Sequence, residues 1–214
     1  MSGIQRFEGL TGCVALEEVN VGYCEGLTSL SCLRGLKKLK YVFASNSGIQ
    51  NIGDLTGCEA LELVVVCGCE DLTSLTGLGG LKKLRTVFAS KSGIRSIGDL
   101  TGFTMLVHVD VSGCVNITSL SGLDGLQNLK QVDGNSTGIT DVDALSRCDA
   151  LESLDVSGCK NLTLLEDLSG LPNLTTVGAT GTSISHGGSS SGLGSALVHL
   201  FFSFVHTVLG NREK

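Results

Sequence analysis

Nine cysteines offer the most obvious chemistry in this chain, as disulfides, thiolates or metal ligands. Four of them, Cys24, Cys69, Cys114 and Cys159, stand 45 residues apart (69−24, 114−69, 159−114). Cys13, Cys58 and Cys148 follow a second series, with Phe103 where the spacing asks for another member. A fixed period assigns each cysteine to its own repeat rather than to one cluster. If each period makes two coils, column neighbours lie two strand spacings apart, roughly 9–10 Å. A disulfide needs Cα atoms within about 7 Å. The expectation is therefore buried, reduced thiols that pack as small apolar groups, in a reducing compartment. Cys67-Gly68-Cys69 begins like a metal site, but His108, His186, His199 and His206 are scattered without zinc spacing. No metal and no cofactor is expected.

Two other chemistries fail on sequence. Thr76-Gly77-Leu78-Gly79-Gly80-Leu81-Lys82-Lys83 resembles a phosphate loop only faintly. It lacks a lysine followed by Ser/Thr at the right offset, and its counterpart at Gly122-Leu123-Asp124-Gly125-Leu126 reads as a repeated turn. Ser, His and Asp are plentiful, but no nucleophile-elbow sequence marks a triad. The chain does not read as an enzyme.

The elements that carry these residues follow from the period. Leu16 to Leu30 reads LxxLxLxxCxxLxxL, and it returns at Leu61, Leu106 and Leu151. A second unit starts at Leu39, Leu84, Leu129 and Leu174, so starts alternate by 23 and 22 residues and make eight units. LxxLxL alternates with period two, which gives a short strand with its apolar residues inward. Leu27, Leu30, Leu33, Leu36 and Leu39 then recur every third residue. Period three suits 3₁₀ or irregular turns rather than a long α-helix. One coil cannot bury its own leucines, so neighbouring coils must cover them. The expected fold is an α/β solenoid, a horseshoe with a parallel concave sheet and a 3₁₀ or irregular convex side.

Ser47, Ser92, Thr137 and Thr182 replace the cysteine in the second unit. Their column is expected to hydrogen-bond main-chain groups at the turn after the strand, and Thr28, Thr73, Thr118 and Thr163 to do the same. Gly48, Gly93 and Gly138 fill the shorter turn, where a positive φ is expected.

These motifs resemble the leucine-rich-repeat family over roughly residues 4–184. The Gly68-Cys69 to Leu75 phrasing is similar to trypanosomatid leucine-rich-repeat proteins, and the short unit is similar to bacterial internalins. The resemblance implies a horseshoe with a protein-recognition role and no catalysis.

The concave face carries the functional reading, because outward positions alternate with buried ones along a strand. The first outward column reads Glu18, Tyr41, Leu63, Thr86, His108, Gln131, Ser153, Thr176. The second reads Asn20, Phe43, Val65, Phe88, Asp110, Asp133, Asp155, Gly178. Tyr41, Phe43, Leu63, Val65 and Phe88, with Tyr23 nearby, form an outward apolar group that core packing does not require. Such patches mark interaction sites, and aromatic anchors dominate interfaces. Asp110, Asp133 and Asp155 lie in line beside His108 and would receive a basic part of the partner. A ladder of Glu17, Lys40, Glu62, Arg85, Val107, Lys130, Glu152 and Thr175 reads as structural, worth at most about 1 kcal/mol per exposed pair.

The expected function is a non-catalytic protein–protein interaction module binding another protein on the concave face. The alternatives are a structural or truncated repeat fragment without a dedicated ligand, and a surface recognition protein that uses the sequons at Asn116, Asn135, Asn161 and Asn173. A net charge of −6 over 214 residues, with no Lys/Arg cluster beyond pairs such as Lys37-Lys38 and Lys82-Lys83, argues against nucleic acid.

Residues 1–185 read as the solenoid, 186–195 as a Gly/Ser linker and 196–214 as an apolar segment, either a cap or an off-pattern tail. The apolar part of that segment, Ala196 to Leu209, is short of the about 20 residues a membrane span needs. Met1 to Phe7 lacks the apolar core of a signal peptide, which favours an intracellular site. The repeat begins partway through a unit at Ile4, so self-association through uncapped ends is also expected.

Overall fold

The computed structural model describes residues 10, 12–100, 102–165 and 168–184. The expected linker and apolar segment lie outside them. Eight strands form one sheet: β1 Glu18–Asn20, β2 Tyr41–Phe43, β3 Leu63–Val65, β4 Thr86–Phe88, β5 His108–Asp110, β6 Gln131–Asp133, β7 Ser153–Asp155 and β8 Thr176–Gly178. They stand in sequence order, and every neighbouring pair is parallel. The chain is a parallel β-solenoid.

The repeat fixes the register. Val19, Val42, Val64, Val87, Val109, Val132, Leu154 and Val177 are Cα partners along one row. From Val19 to Leu154 that row is buried. A one-residue slip would turn all of these side chains out to water, so register is strongly specified. Behind the strands, Leu30, Leu39, Leu61, Leu75, Leu84, Leu120 and Leu151 have no exposed surface. Each coil shares its leucines with the coils above and below, which is why the core runs unbroken through the stack.

The returning segments are turns, with 3₁₀ helices at Ser31–Leu33, Ser121–Leu123 and Asp143–Leu145. The three-residue apolar period keeps every third side chain inward without a continuous helix. Isolated parallel bridges at Ser29–Asn51 and Ser74–Ser96 tie adjacent coils on that side.

The Cys/Ser/Thr column bonds main chain as its chemistry suggests, in two different ways. Ser47 Oγ donates to Ala44 O within its own turn at 2.6 Å, as do Ser92 to Ala89 O (2.6 Å), Thr137 to Gly134 O (2.7 Å) and Thr182 to Ala179 O (2.8 Å). The cysteines reach back one coil instead. Cys69 Sγ donates to Ala44 O at 3.1 Å, Cys114 to Ala89 O at 3.1 Å and Cys159 to Gly134 O at 3.2 Å. One carbonyl per pair of coils therefore accepts from a hydroxyl and a thiol. Hydroxyl and thiol also approach each other, as at Ser92 Oγ and Cys114 Sγ, 3.4 Å apart. Burial pushes the Cys58, Cys114 and Cys148 thiols up.

Three local expectations need correction. The positive φ of the second-unit turn falls at Asn46, Lys91 and Ser136, two residues before Gly48, Gly93 and Gly138. Those glycines serve close approach instead: a Cβ at Gly48 would sit 2.0 Å from Glu25 O, and one at Gly93 1.9 Å from Glu70 O. Dropping one residue from the turn presses its main chain onto the preceding coil. The threonine column contributes through the main chain, with Gln50 N, Arg95 N and Thr140 N donating to Thr28 O, Thr73 O and Thr118 O, while the threonine side chains stay exposed. The charge ladder is partial. Lys40 Nζ–Glu17 (2.8 Å) and Lys130 Nζ–Glu152 (2.6 Å) are ion pairs. Among the described residues, Glu62 and Arg85 form none with each other. The Lys40 hydrogen bond and charge hold Glu17 below the ordinary carboxylate range.

Candidate binding surface

The outer face of the sheet is built by the first and third residues of each strand. Phe43, Val65 and Phe88 are successive Cα partners, and Tyr41, Leu63 and Thr86 form the row beside them. All six are half-buried. Adjacent strands lie about 4.8 Å apart, so neighbouring side chains shield one another and the patch is continuous. Tyr23 sits off this face, on the turn after β1, where it is 80% exposed with φ at +60°. In the same place the other first-type units have Gly68, Gly113 and Gly158, all with positive φ. A tyrosine there holds a backbone conformation that costs an L residue roughly 1–2 kcal/mol.

Beyond β4 the outer face turns polar. Phe88 packs its ring edge-to-face with His108, centroids 4.9 Å apart and planes at 89°. His108 Nε2 meets Asp133 Oδ2 at 2.7 Å, and Gln131 Nε2 donates to the same oxygen at 3.0 Å. His108 and Asp133 keep only 21% and 25% of their side-chain surface exposed. A connected group thus runs from β4 to β6, joining the apolar patch to the acidic row.

The three aspartates do not form an open row of equivalent carboxylates. Asp110 Oδ1 accepts from Ser112 N at 2.8 Å, and Asp155 Oδ1 from Ser157 N at 2.9 Å. Asn20 Oδ1 does the same for Gly22 N at 3.0 Å. These are side-chain turns in which the residue closes its own backbone two positions on. Asp133 is held by His108 and Gln131 instead. Each aspartate keeps its other oxygen clear of any such bond. The first-type units therefore place Asn20, Asp110 and Asp155 in a structural job, and Val65 is the exception among them. Sequence reading missed this job, although Asp or Asn two residues before Gly22, Ser112 and Ser157 was its visible signal.

Cys67 lies in the neighbouring outward column, half-buried between Ser45 and Ser90. Among the described residues, no three of His, Cys, Asp and Glu come together as a metal site.

No family model matches the sequence, and no curated protein does. Solved structures do. Internalin C2 from Listeria monocytogenes is 20% identical with a TM-score of 0.63, over 77% of this chain and 76% of that one. The fold is that of the leucine-rich-repeat solenoids. The internalin inlF from the same organism is 20% identical with a TM-score of 0.58, over 84% of this chain. The functional domain of Listeria InlJ, described as including a cysteine ladder, is 21% identical with a TM-score of 0.58, over 86% of this chain. The chain spans 59% of the inlF structure and 48% of the InlJ domain.

Proposed function

We propose that this leucine-rich-repeat chain is a non-catalytic protein-interaction module that holds its partner on the outer face of the sheet. One observation carries the reading. The position that closes a turn as Asn20, Asp110 and Asp155 is apolar at Val65, between Phe43 and Phe88, and none of these three serves the core. Half-buried apolar side chains in one continuous row supply the desolvated centre that interfaces need. Tyr41 and Leu63 extend it, His108, Asp110, Asp133 and Asp155 form the polar side, and Tyr23 would reach the partner only from the turn after β1.

The test is affinity capture from the native source, wild type against a Phe43→Asp, Phe88→Asp double variant, with circular dichroism to confirm both fold. A protein recovered by wild type alone supports the reading. Identical recovery by both baits ends it.

The proposed compartment is reducing and intracellular, because the column thiols donate hydrogen bonds that oxidation would remove. Native protein with fewer than nine titrating thiols would count against it. The closer kinship proposed is with trypanosomatid repeat proteins, on the Gly68-Cys69 to Leu75 phrasing. It fails if sequences from those organisms lack a cysteine column at this period.

A further inference from the structure

We infer that the partner presents a polypeptide segment in which bulky apolar residues are followed, about four positions on, by lysine or arginine, laid across the strands from β2 toward β7. This rests on the outer sheet face being the binding surface, and it names what that surface selects.

The polarity of the face sets the polarity of the ligand. Phe43, Val65 and Phe88 occupy the outward row on β2 to β4, and Asp110, Asp133 and Asp155 occupy the same row on β5 to β7. Each aspartate engages one oxygen in a hydrogen bond of the fold or of the face and leaves the other without one. The whole second half is acidic, so the row is not a local accident. Residues 16–105 carry nine basic and nine acidic side chains, and residues 106–184 carry three basic and ten acidic, a net of −7. A field of one sign over half the molecule attracts and orients a cationic segment, and the neutral first half gives no competing pull.

Geometry then fixes the spacing. Val65 on β3 and Asp133 on β6 are three strand intervals apart, roughly 14 Å at about 4.8 Å each. An extended chain rises about 3.3 Å per residue, so about four residues cover that gap. The His108 ring lies between the two ends, edge-on to Phe88 and held by Asp133, and gives the crossing segment a firm floor.

The probe is a set of three short fluorescein-labelled peptides. One has a Phe-Leu pair four positions before a Lys-Lys pair. The second has Glu-Glu in place of the lysines, and the third has Ser-Ser in place of Phe-Leu. Binding is read by anisotropy with the full chain. The first should bind at least about tenfold more tightly than either other, and the margin over the glutamate peptide should shrink as salt shortens the Debye length. An Asp110→Asn, Asp155→Asn double variant should reduce that margin, since Asp133 remains. Asparagine keeps the turn-closing oxygen, as Asn20 does, so the fold is retained.

Protection of Cys67 from alkylation by the first peptide, resolved by mass spectrometry, would place it on the face. Equal affinity for lysine and glutamate peptides, an unchanged margin in the double variant, or no binding by any peptide overturns the inference. The reading of the face as a protein-binding surface would stand or fall separately, on the Phe43→Asp, Phe88→Asp capture. Concentration-dependent self-association lost in the same asparagine variant would make a second copy the occupant. Peptide binding that appears only after residues 185–214 are removed would make it the chain's own C-terminus. Either result also overturns the inference.

Discussion

The strands β2 to β4 and β5 to β7 share one inner face and differ on the other. Inside, Val42, Val64 and Val87 of the first half match Val109, Val132 and Leu154 of the second, all buried. Outside, Phe43, Val65 and Phe88 face Asp110, Asp133 and Asp155 at equivalent positions. The inner face tolerates one kind of residue because packing and register both depend on it. The outer face is free of that demand, so its two characters record something other than core packing. At Asp110 and Asp155 that something is partly a turn, closed by the side chain. At Phe43, Val65 and Phe88 no local bond explains the residue. Comparing the two halves unit by unit thus separates outward positions that have a local structural job from those that have none.

The largest effects should be equal in the two halves. Leu75→Ala and Leu120→Ala each empty a fully buried site, and each should cost about 2–5 kcal/mol by urea denaturation. A difference between them much above 1 kcal/mol would mean that the halves do not share one core.

Alkaline pH should also act on both. Burial raises Cys58 in the first half and Cys114 and Cys148 in the second. A thiol free in the unfolded chain ionises near about 8.5, before its folded counterpart. The stabilisation is therefore complete below that value and is lost as pH rises through the raised folded values. Melting temperature should fall as pH rises above about 8.5, and Cys58→Ala and Cys114→Ala should each flatten part of the fall. An unchanged melting temperature would show that these thiols do not couple to folding.

The next effect belongs to the first half alone. Tyr23 occupies a positive-φ place that Gly68, Gly113 and Gly158 hold elsewhere. Tyr23→Gly should stabilise the protein by about 1 kcal/mol, the relief of the strained conformation less the extra freedom of glycine when unfolded. If Tyr23 also touches the partner, the same variant should weaken capture. A variant that is less stable would show that the tyrosine ring contributes packing that outweighs the strain.

How much of this was readable follows from period. The strands, their order and the inward residues were legible, because a 22–23-residue repeat leaves one way to stack leucines. The outward columns were legible by alternation. What the aspartates do was legible only in part: Asp110-Val111-Ser112 carries the turn signal and Asp133-Gly134-Asn135 does not, but nothing local says what reaches Asp133 instead. Ser112 N closes on one, while His108 and Gln131 converge on the other. Gly48 and Gly93 were misread for a similar reason: a glycine chosen for positive φ and one chosen for contact with Glu25 O or Glu70 O are the same letter. Contacts between coils are separated by a full unit in the chain, and local pattern does not encode them.

The smallest effect discriminates best between the two halves. Val65 is the first-type residue that lacks the turn-closing oxygen of Asn20, Asp110 and Asp155. Val65→Asn supplies it, with Cys67 N as the donor two positions on. The new bond should contribute about 1 kcal/mol, and it is offset by the loss of a half-buried apolar side chain, at roughly 25 cal/mol per Å². Net stability should change by no more than about 0.5 kcal/mol, since substitutions outside the core rarely exceed that. Partner capture should nevertheless collapse, because the centre of the apolar row becomes polar. Stability without binding would establish that valine is kept at position 65 for the ligand. A variant that binds as well as wild type would mean that the apolar row is a residue of duplication, and that the two halves differ without consequence for recognition.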